Sequence, residues 1–268
     1  MTTHFPPFQP AEFKLVTSVE EADSRLSVIG RGAVIGLDIE SRLSKEPSKT
    51  DSEKKKTKLA HAAALESGTF QISWDTMLLR LVQISYKDNP VIVLDLFMMR
   101  EVPRALRRIL TASDIIKVAA GVNCDLTRLW YDLGIETKSA MSLGLMASIA
   151  YPEELAAAPS FTCPEAGLSS IVEYLFNRSI NKNDAVSDWS GELRQEQLTY
   201  AATDARATLV AYDVLRYILR HNGYYFSVDW FSWDYHAGHR VNHNTTEKWD
   251  HQCPWWVKEV GYDATKRV

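Results

Sequence analysis

Apolar residues fall along the chain in short runs separated by turn-forming residues, and their spacing shifts from strand-like to helix-like. Residues 1–10 read as a tail, and Val16 to Val28 as a short helix capped by Thr17 or Ser18, with Glu20, Glu21 and Asp23 in its first turns. Ala33 to Leu37 is an apolar run of strand length that ends in Asp38–Ile39–Glu40. Leu78 to Ser85 and Val91 to Leu96 predict two further strands, and Lys87–Asp88–Asn89–Pro90 between them predicts an antiparallel hairpin. Pro103 to Leu110 predicts a helix, Ile115 to Ala120 a fourth strand, and Cys124 to Leu133 a helix with Leu126, Leu129, Trp130 and Leu133 on its apolar side. Helices follow over Met141 to Ile149, over Leu168 to Phe176 (opened by Ser169 or Ser170), and over about Arg194 to Arg220. Strands first, then interleaved helices, imply a mixed α/β sheet with helices packed on it.

Two stretches break the pattern. From Ser41 to about Ser67 the chain is polar and lysine-rich, and a flexible insertion is expected there, extending to about residue 75 before the next strand. Its lysines either reach incoming phosphates or belong to a solvated loop. Beyond Gly223 the chain is aromatic and histidine-bearing without a clear period, and residues 223–268 read as an extension that packs on the domain formed by residues 14–222. Five of the eight tryptophans (Trp230, Trp233, Trp249, Trp255 and Trp256) lie in it, where packing is expected ahead of base stacking. His236, His239, His243, His251 and Cys253 match no compact zinc spacing.

Composition narrows the class only a little. The net charge of −4 does not announce a nucleic-acid binder, but a local basic patch is enough to follow phosphates. No run is long and apolar enough to span a bilayer, and MTTHFPPFQP lacks the pattern of a secretory signal. Cys124, Cys163 and Cys253, sparse and unpaired in sequence, fit reduced thiols in an intracellular protein of the nucleus or cytoplasm. Cys124 is expected to be a packing residue.

The candidate chemistry lies in the acids. Asp38 and Glu40 are two apart on a strand, so they project from one face, although strand ends are also commonly polar. Asp125 opens a helix, where the dipole alone favours a carboxylate. Tyr200 and Asp204 are four apart on the long helix and share a face. Asp204 sits among Ala201, Ala202, Ala205 and Ala207, an awkward place for a charge unless it pairs with Arg206 or Arg128, faces solvent or binds something. Brought together, four carboxylates would raise one another's pKa, and divalent cations relieve that strain.

These segments match a known family. VIGLDIE, LRLVQIS with Gln83, VAAGVNCDLTRLW and LRQEQLTYAATDA occur in order, with Trp189 and Lys182 before the last. In this the chain resembles the DEDD superfamily of 3′–5′ exonucleases, in its tyrosine-bearing branch with ribonuclease D and the Werner syndrome exonuclease domain. Thr199 stands where the histidine-bearing branch has its histidine. The resemblance implies a ribonuclease H-like fold with a five-stranded mixed sheet flanked by helices. It also implies two divalent cations, Mg²⁺ or Mn²⁺, held by Asp38, Glu40, Asp125 and Asp204, with Tyr200 orienting the attacking water. The implied substrate is RNA or DNA with a free 3′ end, single-stranded first. The competing expectation is a catalytically silent scaffold of the same fold that binds nucleic acid or protein.

Overall fold

A computed structural model describes residues 5–42, 50–151, 154–155, 165–185, 187–221 and 231–249. Expectations that rest on Lys45, Lys49, Cys163, Trp230, His251, Cys253, Trp255 and Trp256 lie outside the described residues.

The centre of the molecule is a mixed sheet. Strand β1 (Phe13–Val16) is followed by helix α1 (Val19–Leu26) and strand β2 (Val34–Ser41). Helix α2 (Asp51–Glu66) leads to the hairpin of β3 (Leu79–Ser85) and β4 (Val91–Asp95), then to short α3 (Leu96–Met99) and α4 (Arg104–Thr111). Strand β5 (Ile116–Ala119), α5 (Val122–Leu133), β6 (Ala140–Ser142), α6 (Leu143–Ala150) and α7 (Leu168–Phe176) follow, then the long α8 (Gln195–His221), β7 (Ser232–His236) and β8 (His239–Val241). The strand order is β1-β4-β3-β2-β5-β6-β7-β8. Strand β2 runs antiparallel to β3 and parallel to β5, and β7 joins β6 antiparallel. Among the described residues no helix is long and apolar enough to cross a membrane.

The mixed sheet with flanking helices is as expected, but among the described residues it has eight strands rather than five. The additions are at the edges. Strand β1 pairs with β4, and the β7–β8 hairpin extends the sheet beyond β6. Residues 5–10, expected as a tail, are tied down through Phe8, whose N–H donates to the Ser179 carbonyl at 2.7 Å and whose ring lies 5.8 Å from that of Phe176.

Core formation follows the apolar periodicity. Ile35 and Leu37 of β2 pack in one cluster with Leu106 and Ile109 of α4 and with Leu126, Leu129 and Trp130 of α5. On the other face, Ala201, Ala202 and Ala205 of α8 pack against Leu81, Val91, Val93 and Trp189. Helix α1 starts at Ser18, whose hydroxyl accepts from the Glu21 N–H, as the sequence suggested. Helix α7 starts instead at Gly167, without a side-chain cap.

The lysine-rich insertion is not a flexible loop over its described length. Residues 51–66 form α2, opened by a capping box in which Thr50 and Glu53 satisfy each other's backbone N–H groups. Its alanines, leucines, lysines and glutamates are strong helix formers, which its charge composition obscured. It docks through His61, whose Nε2 lies 2.9 Å from the Trp130 carbonyl oxygen and whose ring stands edge-on to the Trp130 indole at 4.2 Å. In the C-terminal hairpin Trp233 is fully buried, and Trp249 lies against it with ring centroids 4.5 Å apart.

Candidate active site

The acid-bearing segments meet at the ends of the central strands. Gly36, Asp38 and Glu40 alternate along β2 and therefore share one face. That face meets α8 at very short range. A Cβ on Gly36 would lie 2.3 Å from the Ala205 carbonyl oxygen, so only glycine permits this approach. Ala205 directly follows Asp204, so the glycine brings the Tyr200–Asp204 face of α8 down onto the strand carrying Asp38 and Glu40. Strand β5 runs parallel to β2 with Gly36 paired to Val118. Its end therefore lies beside Asp38, and the first turn of α5 places Asp125 there.

Two features brace this arrangement. The β2–β3 register shifts between Glu40 and Ser41, an irregularity of the ladder just past the carboxylates. On β3, buried Arg80 pairs with Asp95 at 3.3 Å and donates to the carbonyls of Trp189 and Gly191, fixing the segment that feeds α8.

Glu40, Asp125 and Asp204 are buried. Asp38 keeps a partly exposed edge, yet protein surrounds it closely enough that burial is the first cause of its upward pKa shift, with Glu40, Asp125 and Asp204 adding to it. Burial pushes Glu40 up to about 9, helped by Asp204 and Asp125. Burial raises Asp125 to about 7. Burial raises Asp204 least, to about 6, because the neighbouring Tyr200 hydroxyl and the Lys182 ammonium pull it back down. Burial and the Asp204 charge hold the Tyr200 phenol well above its ordinary range. The alternatives for Asp204 are not taken: Arg128 pairs with Asp132 at 3.5 Å, and Arg206 donates to the carbonyls of Lys87 and Asn89.

Asp204 Oδ1 is buried with no hydrogen-bond partner. Gln83 stands opposite Asp38 across the β2–β3 ladder, fully buried, with both amide atoms unpartnered. The sequence flagged Gln83 only as part of a motif. A glutamine inside a strand of buried residues is costly unless it is paired, and that was the available signal. The donor set, hard oxygens with one orphaned carboxylate oxygen, suits a hard divalent cation. Among the described residues no three or more His, Cys, Asp or Glu side chains are gathered as a ready-made metal cage. Like-charged carboxylates hold apart without a counter-ion, and Mg²⁺ ordinarily keeps water and takes few protein ligands.

Among the described residues, His236, His239 and His243 of the extension do not gather into a second centre. His236 bonds Glu136 at 2.7 Å, His239 lies beside Lys58, and His243 faces Asp234. Cys124, expected to pack, is an exposed free thiol on the first turn of α5.

Residues 44–220 match the model of a 3′–5′ exonuclease domain family, a match that begins beyond Glu40. An Arabidopsis thaliana 3′–5′ exonuclease is 28% identical over 138 residues, covering 50% of this chain and 44% of that protein. The mouse bifunctional 3′–5′ exonuclease/ATP-dependent helicase WRN is 25% identical over 138 residues, covering 50% of this chain and 9% of that protein. The chain thus spans less than half the length of either relative. Among solved structures, Escherichia coli RNase D superposes with a TM-score of 0.58 at 16% identity, covering 80% of this chain and 47% of that one. The Aedes aegypti Nibbler EXO domain gives 0.58 at 18% identity, covering 80% of this chain and 94% of that one. These likenesses identify the fold as ribonuclease H-like.

Proposed function

Because the chain belongs to the 3′–5′ exonuclease family, we propose that Asp38, Glu40, Asp125, Tyr200 and Asp204 form one centre that hydrolyses the terminal phosphodiester of RNA or DNA and releases nucleoside 5′-monophosphates from the 3′ end. The observation that carries this reading is the convergence of four carboxylates from β2, α5 and α8, each with its pKa raised by burial. Exonucleases of this family use divalent metal ions. Two of them, Mg²⁺ or Mn²⁺, held by Asp38, Glu40, Asp125 and Asp204, would supply the positive charge that ionises the acids together and activates the phosphodiester and its attacking water.

The chain's own groups divide the remaining work. Asp204 and Glu40 accept positive charge from opposite walls, one on the helix and one on the strand. The Tyr200 phenol stays protonated at neutral pH, so it acts as a hydrogen-bond donor and not as a base. Its hydroxyl lies beside Asp204, where it can donate to the carboxylate and leave its oxygen lone pairs to accept from a water. Lys182 brings a cation to the Asp204 side, where it can meet a phosphate oxygen.

The test is digestion of 5′-labelled single-stranded RNA and DNA. The expected result is a ladder shortening from the 3′ end with Mg²⁺ or Mn²⁺, abolished by EDTA and by Asp38→Ala. Failure of the purified protein to shorten either strand, or equal activity in Asp38→Ala, would remove the reading.

A further inference from the structure

Helix α5 has a second, partly exposed face. Asn123, Thr127 and Tyr131 recur every four residues and lie roughly opposite Asp125 around the helix axis. They floor a cleft of about 490 Å³. One wall is Lys58 of α2, and the other is the C-terminal hairpin with His239, Arg240, Lys248 and Trp249. Both walls come from the stretches that broke the sequence pattern.

The cleft gathers positive charge. The Lys58 Nζ stands 3.0 Å from His239 Nδ1. Burial, then Lys58 and Lys248, hold the His239 ring below its ordinary pKa, and partial burial lowers Lys58. Arg240 is held rigidly: its Nε donates to Asn123 Oδ1 at 3.0 Å, and its guanidinium lies 4.9 Å from the Trp233 ring centroid. Among the described residues the acid paired with Arg240 is Glu165, at 3.7 Å. The three fixed cations Lys58, Arg240 and Lys248 thus outnumber that one carboxylate.

The two walls are fitted to each other. Gly238 has φ +79°, and a Cβ there would lie 2.5 Å from Lys58 Cε and 3.0 Å from the Trp130 ring. The glycine therefore lets Lys58 lie across the hairpin turn.

We propose that this cleft binds the phosphodiester backbone of the nucleic-acid strand upstream of its 3′ end, a deepening that rests on the exonuclease reading above. Clustered cations in excess of acids attract phosphates, and the adjoining, partly exposed Tyr131 and Trp249 rings suit the sugar and base faces of a strand. A strand leaving Asp125 has to pass one helix diameter, about 10 Å, to reach it.

The experiment is fluorescence anisotropy on the full chain in EDTA, so that nothing is cut, with a 12-nucleotide and a 3-nucleotide single strand. Lys58→Ala, Lys248→Ala and the double variant are compared with Lys14→Ala at the opposite edge of the sheet. The expected result is a loss of affinity for the longer strand of about threefold or more per lysine. The slope of log Kd against log salt should fall by about one for each lysine removed. The short strand and Lys14→Ala should behave as wild type. An unchanged salt slope in the double variant, equal weakening of both lengths, or no wild-type binding overturns the proposal. Lysine-dependent binding without any metal-dependent shortening would leave the cleft standing and remove the exonuclease reading. Metal-dependent shortening with no lysine dependence would do the reverse.

Discussion

On one side of α5 the acids Asp38, Glu40, Asp125 and Asp204 face one another, three of them buried and Asp38 partly exposed. On the other, Lys58, His239, Arg240 and Lys248 stand half-exposed to exposed among aromatic rings. Both groups violate the rule that like charges avoid each other, and each resolves the conflict differently. The acids are enclosed by protein, and the raised pKa values of Glu40 and Asp125 mean that protons serve as provisional counter-ions. The cations keep contact with water, which screens them. A buried cluster is therefore tuned to bind a compact, strongly charged partner, and a half-open one to bind a long, flexible one.

The largest effect expected from breaking this contrast is at Asp204. Asp204→Asn removes the orphaned carboxylate charge while keeping its shape. Hydrolysis should fall on the order of a thousandfold, since several kcal/mol of transition-state stabilisation are lost and each 1.4 kcal/mol is about tenfold. Steady-state rates on the wild type and the variant check this, and a fall of less than about tenfold would exclude Asp204 from the centre.

Gly36→Ala attacks the geometry instead of the charge. The added methyl meets the Ala205 carbonyl oxygen, a backbone atom that cannot swing aside. Destabilisation of about 1–3 kcal/mol is expected, together with reduced kcat, because α8 must lift from β2. Denaturant melts and kinetics measure the two together. Unchanged stability would mean that the close approach does not set the site.

The pH response tests the burial of the acids. Carboxylates with raised folded-state pKa values contribute stability below the ordinary carboxylate range, and that contribution is lost as pH rises through the folded values. For Asp125 and Glu40 those values are about 7 and about 9. In metal-free protein, wild type should therefore lose Tm relative to Glu40→Gln between about pH 5 and pH 9. Taking the difference cancels Lys117, whose lowered pKa acts in the opposite sense. A difference that is flat across this range, or that grows in favour of wild type, contradicts the account.

The smallest effect concerns the basic side. Thr50→Ala opens the capping box of α2 and should cost about 1 kcal/mol locally. Amide exchange in α2 should quicken by up to about fivefold, with the Tyr200–Asp204 region unaffected.

The same contrast explains what the sequence revealed. The acid centre lies on long periodic elements, so a two-residue spacing on β2 and a four-residue spacing on α8 predict shared faces directly. The basic cleft joins Lys58 to His239 across 181 positions, and no local pattern connects them. Strands β6 and β8 are three residues long, too short to show a period of two. Strand β1 fell between an assumed tail and the first helix. Helix α2 was hidden because a lysine-rich composition resembles a solvated loop, while its capping box and alanine content point to a helix. The Gly36 contact was not legible either, because the need for glycine arises only once α8 is laid on β2.

The most direct test of the central claim is Mn²⁺ uptake, read by the electron paramagnetic resonance signal of free Mn²⁺ in wild-type protein and in Asp38→Asn. The account predicts that wild type depletes free Mn²⁺, that Asp38→Asn depletes much less, and that uptake rises with pH as the buried acids give up their protons. Equal uptake by the two proteins, or none by the wild type with an oligonucleotide present, would contradict it.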